Sequence, residues 1–70
     1  MELPDILKEI RKELRITQEQ FARDIGVSFS TLNRWERGHR TPSPLAMQTI
    51  KSYCKEKCVS DDLIAAIDRT

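Results

Sequence analysis

The sequence predicts an all-α fold, a compact bundle of five short helices. Three observations predict it. Apolar residues recur at three- and four-residue spacing in five stretches, and no stretch alternates as a strand does. The 2 Gly and 3 Pro fall at the edges of those stretches. Ser or Thr stands just before four of the five, where a helix N-cap belongs (Thr17, Ser28, Ser43 and Ser60).

The first helix is expected from about Pro4 to Leu14. Proline suits its first turn, and Leu7, Ile10 and Leu14 recur at helical spacing beside Leu3 and Ile6. The second follows Thr17, which forms a capping-box pattern with Gln20; Ile16 and Phe21 suit a hydrophobic staple. Phe21, Ala22 and Ile25 are its buried strip, and Gly26 ends it by taking the left-handed conformation. Ser28 caps the third helix, about 29–37, with Val27 and Leu32 as its staple and Gly38 closing it. Only Gly26 and Val27 separate the second helix from that cap, so the two helices must cross steeply. After the loop His39–Pro42, Ser43 caps a fourth helix with Pro44 first and Ala46, Met47, Ile50, Tyr53 and Cys54 on its apolar face, reaching about Lys57. Ser60 caps a fifth at about 60–68, with Asp61 and Asp62 in its first turn and Leu63, Ile64 and Ile67 apolar. Tyr53 and Trp35 sit at core spacing and read as core, not as stacking platforms.

Seventy residues fit one domain, 1–70, with its core over 4–57. So short a chain buries only about 60% of its unfolded surface, and its core supplies ~3–5 kcal/mol. Little room is left for a deep catalytic cavity. No paired acid and base, Gly-rich phosphate loop or nucleophile beside a histidine is present, so an enzyme is not expected. Apolar residues at 39% and charged residues at 33% argue against disorder. No apolar run approaches the ~20 residues of a membrane span, and MELPDILKEIRKELR lacks a signal core, so a cytoplasmic chain is expected. Cys54 and Cys58 lie four apart with His39, the single histidine, elsewhere; reduced, half-packed thiols are expected, with no metal and no cofactor.

Net charge is +1, but its distribution is uneven. Residues 6–57 carry eleven Lys/Arg against six Asp/Glu, and the flanks carry five acids against one Arg. A basic middle between acidic ends suits a small anion-binding face.

The third helix has two unlike sides. Leu32, Trp35 and Glu36 point one way; Ser30, Asn33, Arg34 and Arg37 point the other, with Phe29 and Thr31 on the flanks. A bare helical hairpin used only for packing would carry Glu, Lys or Gln on its outer face for helix propensity. Ser30 and Asn33 are poor helix formers, which points to contact instead.

Residues 17–38, with small Ala22 where two helices touch, Gly26 at the turn and apolar Phe21, Ile25, Val27, Leu32 and Trp35, resemble the helix-turn-helix of the phage-repressor family, the Xre/Cro-like DNA-binding domains of prokaryotes and phages. The resemblance is clearest over residues 6–50. It implies a lambda-repressor-like bundle with the helix-turn-helix at helices 2 and 3. It implies a sequence-specific transcriptional regulator of double-stranded DNA, a repressor, with helix 3 in the major groove. A homodimer on a two-fold symmetric operator would follow, with dimer contacts from the last helix; the stretch Cys54–Val59 is longer than the usual link to that helix. Residues matching Phe29, Ser30, Asn33 and Arg34 are the family's base readers. Those matching Gln18 and Ser28 touch phosphate or brace the readers, and Glu36 matches a glutamate paired with an arginine at the position of Arg11.

The chemistry agrees with those roles. Arginine suits guanine and asparagine suits adenine, so Arg34 and Asn33 are expected to read those bases; Thr31 can serve a base or a phosphate. Arg37, His39 and Arg40 follow helix 3 as expected phosphate contacts, a solvated surface being the plain alternative. An exposed Phe29 can press on a thymine methyl; it can equally pack within its own domain. Two other functions stay open: an antitoxin or other protein-interaction module on the same fold, and the DNA-targeting domain of a longer protein.

Overall fold

A computed structural model describes residues 1–69. Its helices are α1 (Leu3–Leu14), α2 (Gln18–Ile25), α3 (Phe29–Glu36), α4 (Pro44–Glu56) and α5 (Asp61–Asp68), with no strand among the described residues. The ends differ from expectation by a residue or so: α3 stops at Glu36 with Arg37 as its C-cap, and α4 stops at Glu56 with Lys57 as its C-cap.

One apolar cluster draws on every helix: Ile6, Leu7 and Ile10 from α1, Phe21 and Ala22 from α2, Leu32 and Trp35 from α3, Ile50 and Cys54 from α4, and Ile67 from α5. α1 packs against both α3 and α5, so the N-terminal helix forms the back of the helix-turn-helix. Leu63 and Ile64 are half-buried against the chain's own core. The thiols are not alike, as half-packing would have made them. Cys54 is fully buried and desolvation pushes it up to about 11, with the charge of Glu13 adding to the rise, whereas Cys58 is exposed.

Three expected N-caps form. Thr17 Oγ1 accepts from the Gln20 N–H at 3.0 Å, Ser28 Oγ from the Thr31 N–H at 3.1 Å and Ser43 Oγ from the Ala46 N–H at 3.2 Å. The capping box at Thr17 is only half made. The Gln20 side chain donates instead to Asp24 Oδ1 at 2.7 Å, a charged acceptor one turn on. Ser60 makes no side-chain cap. Its N–H donates to Glu13 Oε2 at 2.6 Å, so a carboxylate from α1 sits at the start of α5, where the helix dipole favours it.

Four helices end in the same turn. Arg15, Gly26, Gly38 and Cys58 all take positive φ (57°, 76°, 77° and 58°), and the residue after each donates its N–H back to Arg11, Ala22, Arg34 and Cys54 respectively. This is the Schellman pattern, which favours glycine because a side chain costs ~1–2 kcal/mol in that conformation. Arg15→Gly should therefore raise stability by ~0.5–1 kcal/mol after the extra chain entropy of glycine, or about 2–8 °C in Tm. Thermal unfolding followed by circular dichroism checks this, and an unchanged or lower Tm would mean that Arg15 carries no strain.

Candidate nucleic-acid interface

The turn between α2 and α3 is set by backbone chemistry. Gly26 is left-handed, its N–H reaches the Arg23 carbonyl at 3.2 Å, and the Val27 N–H reaches Ala22 at 2.9 Å. Ser28 then opens α3 at once. Ala22, 2% exposed, sits in the core that α2 shares with α3. α3 is thus held from below by Leu32 and Trp35, leaving its other side outward.

A second clamp comes from α1. Arg11 Nε donates to Glu36 Oε2 at 2.8 Å and Arg11 Nη2 to Glu36 Oε1 at 2.7 Å. Glu36 is 2% exposed. The hydrogen bonds to Glu36 and its charge raise the Arg11 pKa against the lowering effect of burial. The planar fork matches the carboxylate edge, which fixes α3 in rotation as well as in position.

The sequence places Glu36 alone among acids between Asp24 and Glu56, and over the same span stand Arg34, Arg37, Arg40, Lys51 and Lys55. With Glu36 buried and paired, no carboxylate from residues 25–55 reaches the surface. The outward side of α3 and the loop after it therefore carry exposed cations from Arg34, Arg37 and Arg40, with His39 beside them, also exposed.

Asn33 is half-buried, and its Nδ2 donates to Gln18 Oε1 at 3.2 Å, across from the first residue of α2. Ser28 Oγ donates to Thr31 Oγ1 at 2.8 Å while accepting the Thr31 N–H, so the Thr31 proton remains available to donate. Ser30 is exposed, and its carbonyl accepts from Arg34 Nε at 3.4 Å, which lays the Arg34 side chain along the helix. Phe29 stands out at 49% exposed, so it does not pack within its own core. Thr41, which the sequence pattern does not single out, lines a cleft of about 250 Å³ with Thr31, Arg34, Trp35 and Arg40. Its only signal in the sequence is its place next to Arg40.

A network behind α2 also escapes sequence reading. The Tyr53 hydroxyl donates to Asp24 Oδ2 at 2.8 Å, opposite the Gln20 contact. Tyr53 and Gln20 hold the Asp24 carboxyl below the usual carboxylate range, and Tyr53 itself is pushed up by burial and then by Asp24. The Tyr53 ring lies 5.5 Å from Phe21, with the Lys57 ammonium 5.8 Å from its centre. α2 is thereby tied to α4.

No cluster of three His, Cys, Asp or Glu among the described residues can hold a metal ion. Among the described residues, no helix is long and apolar enough to cross a membrane.

No curated protein and no solved structure gives a match to this chain. A family model described as helix-turn-helix matches residues 7–57, most of the chain and the whole of the geometry just described. The chain belongs to the phage-repressor-like, Xre/Cro-like helix-turn-helix family of DNA-binding regulators.

Proposed function

We propose that the chain is a sequence-specific transcriptional repressor that inserts α3 into the major groove of double-stranded DNA. Two copies would bind a two-fold symmetric operator, their recognition helices one DNA turn apart, ~34 Å. Repression follows where such an operator overlaps a promoter. Its output is occupancy of DNA rather than turnover of a substrate.

The observation that carries the reading is the Gln18–Asn33 hydrogen bond. An asparagine amide has two N–H donors and one carbonyl acceptor. One N–H is spent on Gln18. The other N–H and the carbonyl are left, which is the pair that adenine N7 and N6 require. The bond restrains the Asn33 side chain before DNA arrives, so less side-chain entropy is lost on binding. Gln18 keeps its own amide N–H groups for a phosphate beside the start of α2, where the helix dipole favours an anion. Arg34 reads guanine O6 and N7, and Ser30 adds a hydroxyl. Ser28 braces Thr31, whose proton goes to a phosphate or a base. Arg37, His39 and Arg40 hold phosphates and set the register.

Amide NMR shifts on adding a cognate duplex test the placement. They should move at Gln18, across Ser28–Arg34 and at Arg37–Arg40. Shifts confined to Lys8, Lys12 and α5 would overturn it. Arg40→Ala separates positioning from reading. Binding to all sequences should weaken alike, and the slope of log K against log salt should flatten by about 0.9, one phosphate. A loss confined to some sequences, from titrations over a salt series, would contradict the phosphate role.

A further inference from the structure

We infer that Phe29 is a specificity-determining residue that reads the C5-methyl group of a pyrimidine, one or two base pairs from the base met by Asn33. The inference rests on the reading of α3 as the major-groove helix and adds a contact that hydrogen bonding cannot supply.

Phe29 is the aromatic residue that the fold does not use. Phe21 is fully buried, Trp35 is 6% exposed, and Tyr53 packs against Phe21. Phe29 is 49% exposed and belongs neither to the core nor to the side chains packed on it. The start of α3 does not need it. Ser28 caps the helix, and the flanking apolar positions are filled by Val27 and Leu32, both packed on the core. Phenylalanine is also an ordinary helix former at best. An exposed ring at this position therefore has to be explained by what it meets.

Its neighbours narrow the choice. Ser28 and Ser30 flank it, and Arg34 is laid back along the helix onto the Ser30 carbonyl, all exposed. A protein partner would favour a continuous apolar patch, whereas the chain neighbours of Phe29 are serine hydroxyls and a guanidinium group. They suit a polyanion. Among the features that base edges present in the major groove, the apolar one is the pyrimidine C5-methyl. Thymine carries it always, and cytosine carries it when methylated.

The spacing fixes where that methyl lies. Phe29 and Asn33 are four residues apart, just over one helical turn or about 6 Å along the axis. Base pairs stack at roughly 3.4 Å, a tenth of a DNA turn. The methyl therefore sits one or two pairs from the Asn33 contact.

The test uses a duplex recovered by selection from a randomised pool. Each thymine is replaced in turn by uracil, which removes only the methyl, and each cytosine by 5-methylcytosine, which adds it. At one position per half-site, the intact chain should lose about fourfold in affinity on losing a thymine methyl, or gain about fourfold on cytosine methylation; that is the value of burying one carbon. The first result identifies thymine as the source of the methyl and the second methylcytosine. Phe29→Ala should bind more weakly and show no difference at that position, and Phe29→Leu should keep part of it. Trp35 emission and circular dichroism confirm that both variants are folded. A methyl effect that persists in Phe29→Ala overturns the inference, because another side chain then reads the group. Binding of the selected duplex with no methyl effect anywhere also overturns it, while leaving the major-groove reading intact. Failure to recover any duplex would overturn both together.

Discussion

Arg11→Ala should bring the chain to about its unfolding midpoint at 25 °C, with roughly half of the molecules unfolded. The substitution strands Glu36, 2% exposed, without either of its two guanidinium hydrogen bonds. Removing one partner of a buried pair costs ~3–5 kcal/mol, because the remaining charge stays desolvated. A domain of this size has a margin of about the same ~3–5 kcal/mol. The loss therefore consumes the margin. Replacing both residues by apolar ones, Arg11→Met with Glu36→Leu, should recover most of the stability, since the desolvation cost disappears with the charges. Urea unfolding followed by Trp35 emission measures both variants. A single variant as stable as the parent would mean that the pair holds nothing. A double variant as unstable as the single one would mean that the loss comes from packing around Arg11 rather than from the stranded charge.

The second large effect concerns what the DNA face reads. Asn33→Ala should lose ~1–3 kcal/mol of discrimination at one A·T pair, and Arg34→Ala the same at one G·C pair, with other positions little changed. Gln18→Ala should reproduce part of the Asn33 loss at the same base pair, because Gln18 orients that amide from the neighbouring helix. Affinities for a panel of single-base variants of the preferred duplex measure all three. Equal weakening at every position would make Asn33 and Arg34 phosphate contacts, and an unaltered A·T preference in Gln18→Ala would remove the bracing role.

What was legible in the sequence was local. The cap at Ser28, the turn at Gly26 and the inward strip Leu32, Trp35 and Glu36 all act within one or two helical turns, and the structure has them where the pattern puts them. Glu36 read as inward, and its partner came from family resemblance alone, because nothing in the spacing of residues 25 apart shows a bidentate pair. Contacts made at long range stayed hidden for the same reason. Glu13 meets the Ser60 N–H from 47 residues away, and Tyr53 meets Asp24 from 29. The Tyr53 contact belongs to the network that also draws Gln20 away from its expected capping bond. Arg15 and Cys58 were hidden differently. They occupy turns where glycine is the usual signal, and a strained non-glycine residue gives none. For Phe29 the sequence left two readings, and the difference between them is burial, which only the packed helices decide.

Selection from a pool of randomised duplexes at near-physiological salt tests the central claim most directly. The face of α3 is predicted to enrich a two-fold symmetric sequence with half-sites 10–11 base pairs apart, each containing an adenine and a guanine that Asn33→Ala and Arg34→Ala respectively cease to distinguish. No enrichment, with binding that disappears at moderate salt whatever the sequence, would show attraction to phosphate alone and contradict the claim that this face reads bases.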